Sequence, residues 1–245
     1  MSTIAPAFGL EPWIAPRHLI AAAVSGHPED PLAGSWVDGF LIQRVADDLA
    51  EFVERRARTE PLYRLYSEPT PVSSSRWALA GEADRFARVV SVAGSGDEPT
   101  SDAALGYVRA AQMFRSEPFH DLVGRLCEWP IGSLHELTTW SMGPGDFVRP
   151  HQYDAGTCGV RTELWLSTGW SEGSGGALCI ADDRERVRRI PFRHNTLVLL
   201  RPRRDVTFWV APIRPSATPT RRVSVIACFD RVGEPQDGHP ARRSP

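Results

Sequence analysis

Hydrophobic and polar positions follow different patterns in the two halves of the chain. In the first half, apolar residues between Ser35 and Arg58 recur at three- and four-residue steps, with acidic residues and arginines on the opposite side. This spacing predicts an amphipathic helix that fades near Arg58, before Pro61. The apolar positions of this predicted helix are Phe40, Leu41, Val45, Leu49, Phe52 and Val53.

The rest of the first half predicts shorter elements. Residues 62–80 predict extended segments joined by a Pro/Ser turn, and residues 94–101 predict a loop because they are rich in Gly, Ser, Asp and Pro. Two short helices are expected next, one capped by Ser101 or Asp102 and one over residues 118–127.

Beyond Pro130, short runs rich in Leu, Val, Trp and Thr alternate with turns made of Gly, Pro and Asp. Several short strands at this spacing predict an all-β sandwich or barrel. The predicted strands cover residues 133–142, 162–167, 177–180, 196–200, 207–211 and 222–229.

These patterns divide one expected domain of 245 residues into four parts. Residues 1–30, rich in Pro and Ala, predict an arm that lies on the surface or is partly disordered. Residues 31–130 predict a helical support region, and residues 131–230 contain the predicted strands. Residues 231–245 are polar and predict a disordered tail.

The composition excludes two classes of function. All 28 basic side chains are arginines, and the formal net charge is −2. Without lysine there can be no lysine Schiff base and no covalently held pyridoxal phosphate. The near-zero net charge lacks the basic surface that nucleic acids require, so no nucleic-acid partner is expected.

The remaining signals predict a cytoplasmic protein. No stretch approaches the roughly 20 consecutive apolar residues that a membrane span needs, so no membrane association is expected. The first 16 residues lack a basic region followed by an apolar run, which a secretory signal would contain. The four cysteines form no C-x-x-C pair, so we expect buried apolar side chains rather than a zinc site or disulfides.

Seven ordered blocks of the second half form a specific pattern. They are Gly145-Asp146, His151-Gln152-Tyr153-Asp154, Trp165-Leu166-Ser167 with Trp170, Gly175-Gly176-Ala177-Leu178, Asn195-Thr196-Leu197-Val198-Leu199-Leu200, Phe208-Trp209-Val210-Ala211-Pro212 and Arg222-Val223-Ser224. With these blocks, residues 145–230 resemble the prolyl-hydroxylase branch of the iron(II)/2-oxoglutarate-dependent dioxygenases. The resemblance implies an α+β, mainly β fold: a double-stranded β-helix (a jelly-roll or cupin-like barrel) flanked by N-terminal helices.

The resemblance also implies a facial triad, in which two histidines and a carboxylate hold Fe(II). The co-substrate 2-oxoglutarate chelates the iron, and an arginine binds its far carboxylate. His151 stands at the first ligand position, but Tyr153 occupies the carboxylate position and Phe208 the distal histidine position. Asp154 lies one residue too late and reaches the metal only through a bulge, because a one-residue slip turns a strand side chain to the other face.

This comparison predicts a degenerate triad with no metal and no cofactor. The alternative keeps Fe(II) on His151 and Asp154, together with 2-oxoglutarate. His151 is otherwise a pocket residue retained from an oxygenase ancestor, because a single strong ligand gives little affinity for iron.

The clamp for the co-substrate is better preserved in the sequence. Arg222 fits the Arg-x-Ser position, with adjacent Arg221 left open as an alternative. Arg161, Glu163 and Trp165 share one face of a strand by its two-residue period, and the resemblance makes that face the cavity. Two readings of Glu163 stay open: a general acid or base with a raised pKa, or a structural ion pair with Arg161 or Arg222.

Aromatic residues complete the candidate pocket. Trp140 and Met142 lie near the place where the family often has a tyrosine. Phe208, Trp165 and Trp140 predict an apolar pocket, or else ordinary core packing. The expected binding residues for a substrate or 2-oxoglutarate are Arg222, Arg161, Trp140, Met142, Tyr153, Trp165 and Phe208.

Three functions from different classes are compatible with these residues. The favoured hypothesis is a metal-independent, non-oxidative reaction on a small apolar metabolite, as in natural-product biosynthesis, with His151, Asp154 and Glu163 as catalytic candidates. The alternatives are an active Fe(II)/2-oxoglutarate hydroxylase with a non-standard ligand set and a non-catalytic binding or partner protein. The expected partner is a small-molecule substrate, and the sequence leaves a homodimer open.

Overall fold

The computed structural model describes residues 9–20, 35–55, 57–68, 70–94, 102–152, 158–203, 205–215 and 221–231. The first half of the chain mixes helices and strands. Its elements are α1 (Pro16–Ile20), β1 (Ser35–Asp38), α2 (Gln43–Arg55), β2 (Arg58–Leu65), α3 (Ser74–Leu79), β3 (Arg85–Gly94), α4 (Asp102–Phe114) and α5 (Glu117–Cys127).

The second half is built almost entirely from strands. They are β4 (Ile131–Met142), β5 (Phe147–His151), β6 (Val160–Trp165), β7 (Leu178–Asp182), β8 (Val187–Ile190), β9 (Thr196–Leu200), β10 (Val206–Val210) and β11 (Arg222–Arg231). The six strands predicted after Pro130 are confirmed, to within about two residues at most ends. Strands β5 and β8 are additional to them.

Within the described residues, eleven antiparallel strands form one curled sheet. The major face has the strand order β1-β9-β6-β11-β4, and the minor face has the order β5-β10-β7-β8. Strand β3 joins the faces because Val90 pairs with Ser141 of β4 while Ala87 pairs with Val148 of β5. The two faces enclose a barrel, so the predicted double-stranded β-helix, mainly β with N-terminal helices beside it, is confirmed.

Strand β6 shows why the two sides of the major face differ. All six of its residues are buried, which is expected for a strand covered on both sides. Val160 and Leu164 point outward into the core beneath the helices, while Trp165 packs into the barrel interior. The predicted face of Arg161, Glu163 and Trp165 is therefore the interior face.

A helical layer covers the outer side of the major face. Helix α2 buries one stripe of its surface there, made of Ala46, Leu49, Ala50, Phe52 and Val53. Helix α5 follows Ser116, whose hydroxyl accepts a hydrogen bond from the amide of Phe119, and it ends before Glu128, which has a positive φ of 53°. Both short helices predicted after residue 100 are confirmed, as α4 and α5.

The predicted start of the first helix is wrong. Ser35–Asp38 forms strand β1, which pairs with β9 along its whole length. Gly39 then adopts a φ of +60°, which ends the strand, and α2 begins at Gln43. Phe40 and Leu41 are fully buried and imitate a helical stripe, although they lie in the turn before the helix.

The helical support region also contains more sheet than the pattern predicts. Strands β2 and β3 pair over their length within this region, and the short helix α3 lies between them. The predicted arm is packed where it is described, because Leu10 and Ile14 are buried in the core beneath the helices. The predicted loop at residues 94–101 lies, except for Gly94, outside the described residues, and so does nearly all of the predicted tail at 231–245.

Two cysteines correct the expectation of unbonded apolar side chains. Cys158 and Cys228 form a disulfide with Cα atoms 5.5 Å apart. The bond forms because β6 and β11 are neighbours, with Val160 opposite Phe229. For Cys127 and Cys179 the expectation is confirmed, since both are buried and unbonded. No helix in the described ranges has the length and apolarity needed to cross a membrane.

We predict that the disulfide stabilises the fold. It closes a long stretch of chain, 70 residues apart in sequence, and such a crosslink contributes roughly 2–4 kcal/mol. Unfolding by urea with and without reductant measures the effect in the wild type and in the double variant Cys158→Ala/Cys228→Ala. The wild type should lose this stability in reductant, whereas the double variant should not respond. Four reactive thiols in denatured, unreduced protein would contradict the prediction, since two are expected.

Candidate functional site

A narrow cavity, here called the barrel cavity, lies between the two faces. Its lining residues are Trp140, Val148, His151, Arg161, Glu163, Leu178, Phe208, Trp209, Val210 and Arg222. The space open to the centre of a water molecule is about 10 Å³, close to the least that holds one water. Six sequence candidates therefore line one cavity: His151, Glu163, Arg222, Arg161, Trp140 and Phe208.

His151 ends strand β5 and stands directly opposite Phe208 of β10. Its Nδ1 lies 2.9 Å from the carbonyl oxygen of Arg149, and the Phe86 ring lies edge-on at 4.7 Å between centroids. Burial lowers the pKa of His151 to about 4, assisted by nearby Arg161, although the Arg149 carbonyl opposes the change. The imidazole is therefore neutral at pH 7, and a proton on Nδ1 leaves the lone pair on Nε2.

The position opposite His151 offers no second ligand. Phe208 is buried among apolar side chains of both faces, including Leu178 and Val198. Tyr153 and Asp154, the two candidates for the carboxylate position, lie outside the described residues. Among the residues that are described, no three His, Cys, Asp or Glu side chains lie close enough together to hold a metal ion.

Arg222 is almost completely buried at the first residue of β11. Its Nε donates to the Gly176 carbonyl at 2.9 Å, and its Nη1 donates to the Ser224 hydroxyl at 2.6 Å. The guanidinium lies over the Phe192 ring, 4.7 Å from its centroid, and 5.4 Å from that of Trp165. These contacts fix the guanidinium plane within the barrel.

Arg221 points away from the barrel cavity. Its Nε donates to the Ser141 hydroxyl at 2.6 Å and its Nη2 to the Ser141 carbonyl at 2.7 Å, and Nη2 lies 3.7 Å from the Asp146 carboxylate. About a third of the Arg221 side chain is exposed, at 38 %. Of the two arginines that the sequence leaves open, Arg222 is the one inside the barrel.

The double glycine explains how Arg222 fits. Gly176 has a φ of +70°, and a Cβ there would lie 3.2 Å from Arg222 Cδ and 3.0 Å from the Trp170 ring. A side chain at this position would be strained by its backbone conformation and would push against both neighbours. The Gly-Gly block therefore lets the arginine lie against the main chain.

Glu163 is at the centre of a buried ion network with Arg161 and Arg222. Arg161 donates to its Oε1 from Nε at 3.1 Å and from Nη2 at 3.0 Å. Trp165 Nε1 donates to Oε2 at 3.2 Å, and Arg222 Nη2 does so at 3.3 Å. Glu163 therefore forms ion pairs with both Arg161 and Arg222, as the ion-pair hypothesis expects.

Of the two hypotheses for Glu163, the one with a raised pKa does not hold. Burial alone raises the pKa, but the positive charges of Arg161 and Arg222 and the hydrogen bonds outweigh it, so the pKa lies below its usual value. An ionised carboxylate at neutral pH has no proton to give. Glu163 therefore does not fit the role of a general acid.

The apolar candidates divide into two groups. Trp140 and Phe208 line the barrel cavity, and Arg161 lies over the Trp140 ring at 5.5 Å. Trp165 and Met142 are fully buried, and Trp165 stacks on Phe192 with 4.9 Å between centroids. Neither belongs to the cavity lining. The core-packing alternative therefore describes the position of Trp165, and Met142 is a core residue as well.

Two aromatic residues near the site carry no sequence signal. Phe86 touches His151 from strand β3, and Phe192 supports Arg222 from the connection between β8 and β9. Neither residue stands in one of the seven blocks. Their positions follow from long-range packing.

Comparison with solved structures identifies the fold. No protein-family profile matches the chain, and no curated protein matches its sequence. Among solved structures, a prolyl-4-hydroxylase from Pseudomonas putida superposes with a TM-score of 0.51 at 17% identity, over 88% of this chain and 96% of that one. A 2OG-Fe(II) oxygenase family oxidoreductase from Burkholderia pseudomallei gives 0.53 at 12% identity, over 80% and 84% of the two chains.

A third likeness supports the same conclusion. A prolyl hydroxylase from Trichoplax adhaerens, solved with a peptide fragment of a hypoxia inducible factor, gives a TM-score of 0.53 at 14% identity, over 80% of this chain and 82% of that one. The chain thus has the fold of the 2-oxoglutarate- and iron-dependent oxygenase superfamily.

These likenesses contradict the prediction that the chain uses no cofactor, because proteins that share its fold are 2OG-Fe(II) oxygenases. The described residues fit the two cofactors unequally. Arg222 and Ser224 form a buried pair suited to a carboxylate of 2-oxoglutarate. For iron, His151 supplies a single ligand and Phe208 faces it, so the described residues do not form an iron site.

We predict that Glu163→Gln lowers the free energy of unfolding by about 3 kcal/mol, because breaking a buried ion pair leaves the partner charges without compensation. Urea unfolding measures the change. Asp205→Asn is the matched control, since the Arg203–Asp205 pair is exposed and such pairs contribute less than about 1 kcal/mol. Equal effects of the two substitutions would disprove the structural importance of the network.

We predict that His151 makes the fold acid-sensitive. Its pKa is lowered to about 4 in the folded state, so the unfolded chain binds a proton first as the pH falls below about 6.5. The contribution of His151 to stability is therefore present above pH 6.5 and is lost between pH 6.5 and 4, by about 2 kcal/mol from pH 7 to pH 5.

Unfolding of wild type and His151→Asn at pH 7 and pH 5 checks this expectation. The variant should lose less stability between the two pH values than the wild type. His135→Asn, at an exposed histidine, is the control and should follow the wild type. Parallel curves for wild type and His151→Asn would show that His151 is not the titrating group.

Proposed function

We propose that this protein is an enzyme for small molecules on the oxygenase fold, in which Arg222 and Ser224 hold a carboxylate of the ligand. One observation carries the proposal. Arg222 is a buried arginine whose guanidinium is oriented by Gly176 and Ser224 in the same cavity as His151. A guanidinium binds a carboxylate through two parallel hydrogen bonds, and the low-polarity surroundings strengthen them.

The carboxylate of 2-oxoglutarate is the first ligand to consider. The resemblance assigns the Arg-x-Ser pair to that co-substrate, and Arg222 and Ser224 lie within hydrogen-bonding distance of each other. When bound, 2-oxoglutarate supplies the electrons for activating oxygen. The protein's own part is to bind and orient the carboxylate inside the barrel.

Ligand entry requires a rearrangement of Glu163. The barrel cavity has about 10 Å³ open to the centre of a water molecule, so a dicarboxylate needs space that Glu163 now fills. The bond of Glu163 to Arg222 is longer, at 3.3 Å, than its bond to Arg161, at 3.0 Å. A ligand carboxylate would replace Glu163 on Arg222, while Arg161 would retain the Glu163 carboxylate.

His151 is the proposed proton-transfer group for a non-oxidative reaction of a small apolar metabolite, such as an isomerisation, elimination or cyclisation. Its neutral imidazole can accept a proton at Nε2. A pKa of about 4 makes it a weak base. Arg222 would therefore have to stabilise the negative charge that develops on the substrate.

A second candidate is a 2-oxoglutarate-dependent hydroxylase. It is favoured by the fold shared with 2OG-Fe(II) oxygenases and by His151 at the first ligand position. It requires a carboxylate ligand, for which Asp154 is the sequence candidate. Release of succinate from 2-oxoglutarate that depends on added Fe(II) would support this candidate over proton transfer.

We predict that Arg222→Gln weakens the binding of 2-oxoglutarate at least tenfold, because truncating one partner of a buried charged pair costs 2–5 kcal/mol or more. Calorimetric titration with 2-oxoglutarate and with succinate, with and without Fe(II), measures this. Arg221→Gln is the matched control, because Arg221 is the adjacent arginine that bonds Ser141 outside the cavity.

Arg221→Gln should bind within about twofold of the wild type. If Arg222→Gln fails to fold, Ser224→Ala tests the same subsite, since it removes the hydroxyl that aligns Arg222. The proposal fails if the wild type binds neither acid at millimolar concentration. It also fails if both arginine variants bind as the wild type does.

A further inference from the structure

A further cavity, here called the helix-layer cavity, lies outside the barrel. It sits between helices α2 and α4 and the outer side of strands β4, β6 and β11. Its volume is about 210 Å³. Its lining residues are Leu49, Val92, Tyr107, Ala110, Ala111, Phe114, Arg115, Leu137, Thr138, Thr139, Leu164 and Val225. An apolar cavity of roughly 150 Å³ is already large enough to bind benzene.

Most of the helix-layer cavity is apolar. Leu49, Phe114, Leu164 and Val225 are all buried and belong to the core beneath the helices. Ala110 and Ala111 of α4 are small, and this leaves the space open between the helix and the sheet. A void of this size in a well-packed core forfeits dispersion contacts along its walls, and an apolar molecule would restore them.

The cavity also has polar lining residues. The hydroxyls of Tyr107 and Thr139 lie 2.8 Å apart. Their mutual bond uses one of the two hydroxyl hydrogens, so the other hydrogen can reach a further acceptor. Arg115 also lines the cavity and is exposed, and its Nη1 donates to the Ala111 carbonyl at 3.3 Å. Its charge acts on the Tyr107 hydroxyl, where it partly opposes the rise in pKa that burial causes.

We propose that the helix-layer cavity binds a compact apolar carboxylic acid, with the carboxylate at Arg115 and the Tyr107–Thr139 hydroxyl pair and the hydrocarbon body among Leu49, Leu164 and Val225. A cation and a hydroxyl donor in the lining favour an anionic oxygen group. The apolar interior excludes a second charge, because an unpaired charge there would be desolvated. The site is independent of the barrel cavity, which opens on the other side of the major face.

The test is a calorimetric titration of the full chain with octanoate. One octanoate should bind per chain, and 1-octanol, which lacks the charge, should bind more weakly. Arg115→Gln should weaken octanoate binding about tenfold, and Ala110→Leu, which fills the cavity from α4, should abolish it. Arg109→Gln, at an exposed arginine of the same helix, should leave it unchanged.

Thermal melting checks that each variant is folded. If Ala110→Leu does not fold, the pair Arg115→Gln and Arg109→Gln decides alone. The proposal is overturned if the wild type does not bind octanoate, or if octanol binds as tightly. It is equally overturned if Arg115→Gln and Arg109→Gln have the same affinity. Because 2-oxoglutarate should not displace octanoate, failure of this site is distinguishable from failure of the barrel site.

Discussion

The interior of the barrel depends on the ion network of Arg161, Glu163 and Arg222. Three charges in a space lined by aromatic rings carry a desolvation cost of several kcal/mol each. The network offsets it because Glu163 accepts hydrogen bonds from both arginines and from the Trp165 indole. All three charged residues lie on strands β6 and β11. The pairing of these two strands therefore determines where the charges lie relative to one another.

The ion network shares the barrel cavity with His151 and Phe208. His151 and Phe208 face each other across β5 and β10, so an imidazole and a phenyl ring stand together. The low polarity of this pairing is the reason that His151 holds its proton so weakly. The barrel cavity thus holds ionised side chains together with a neutral imidazole.

The sequence predicts the second half of the fold well and the first half less well. Thr196–Leu200 is predicted to the residue because a continuous apolar run is bounded by turn residues. Strand β1 is missed because it is held by a distant partner, β9, and local propensity carries little information on such pairing. In the site, the two-residue spacing predicts that Arg161, Glu163 and Trp165 share one face of their strand. The pKa of Glu163 depends on its burial, on neighbouring Arg161 and on Arg222, which is 59 residues away along the chain.

The disulfide between Cys158 and Cys228 has a consequence for strand alignment. It joins β6 and β11 at the end of the ladder in which Glu163 stands opposite Ile226. A shift of one residue between these strands would turn one strand's charged side chains out toward the helices. The disulfide lies at the end of the β6–β11 ladder, and the register of that ladder puts Arg161, Glu163 and Arg222 on the same side of the sheet. It therefore favours the strand register in which these charged side chains face the inside of the barrel.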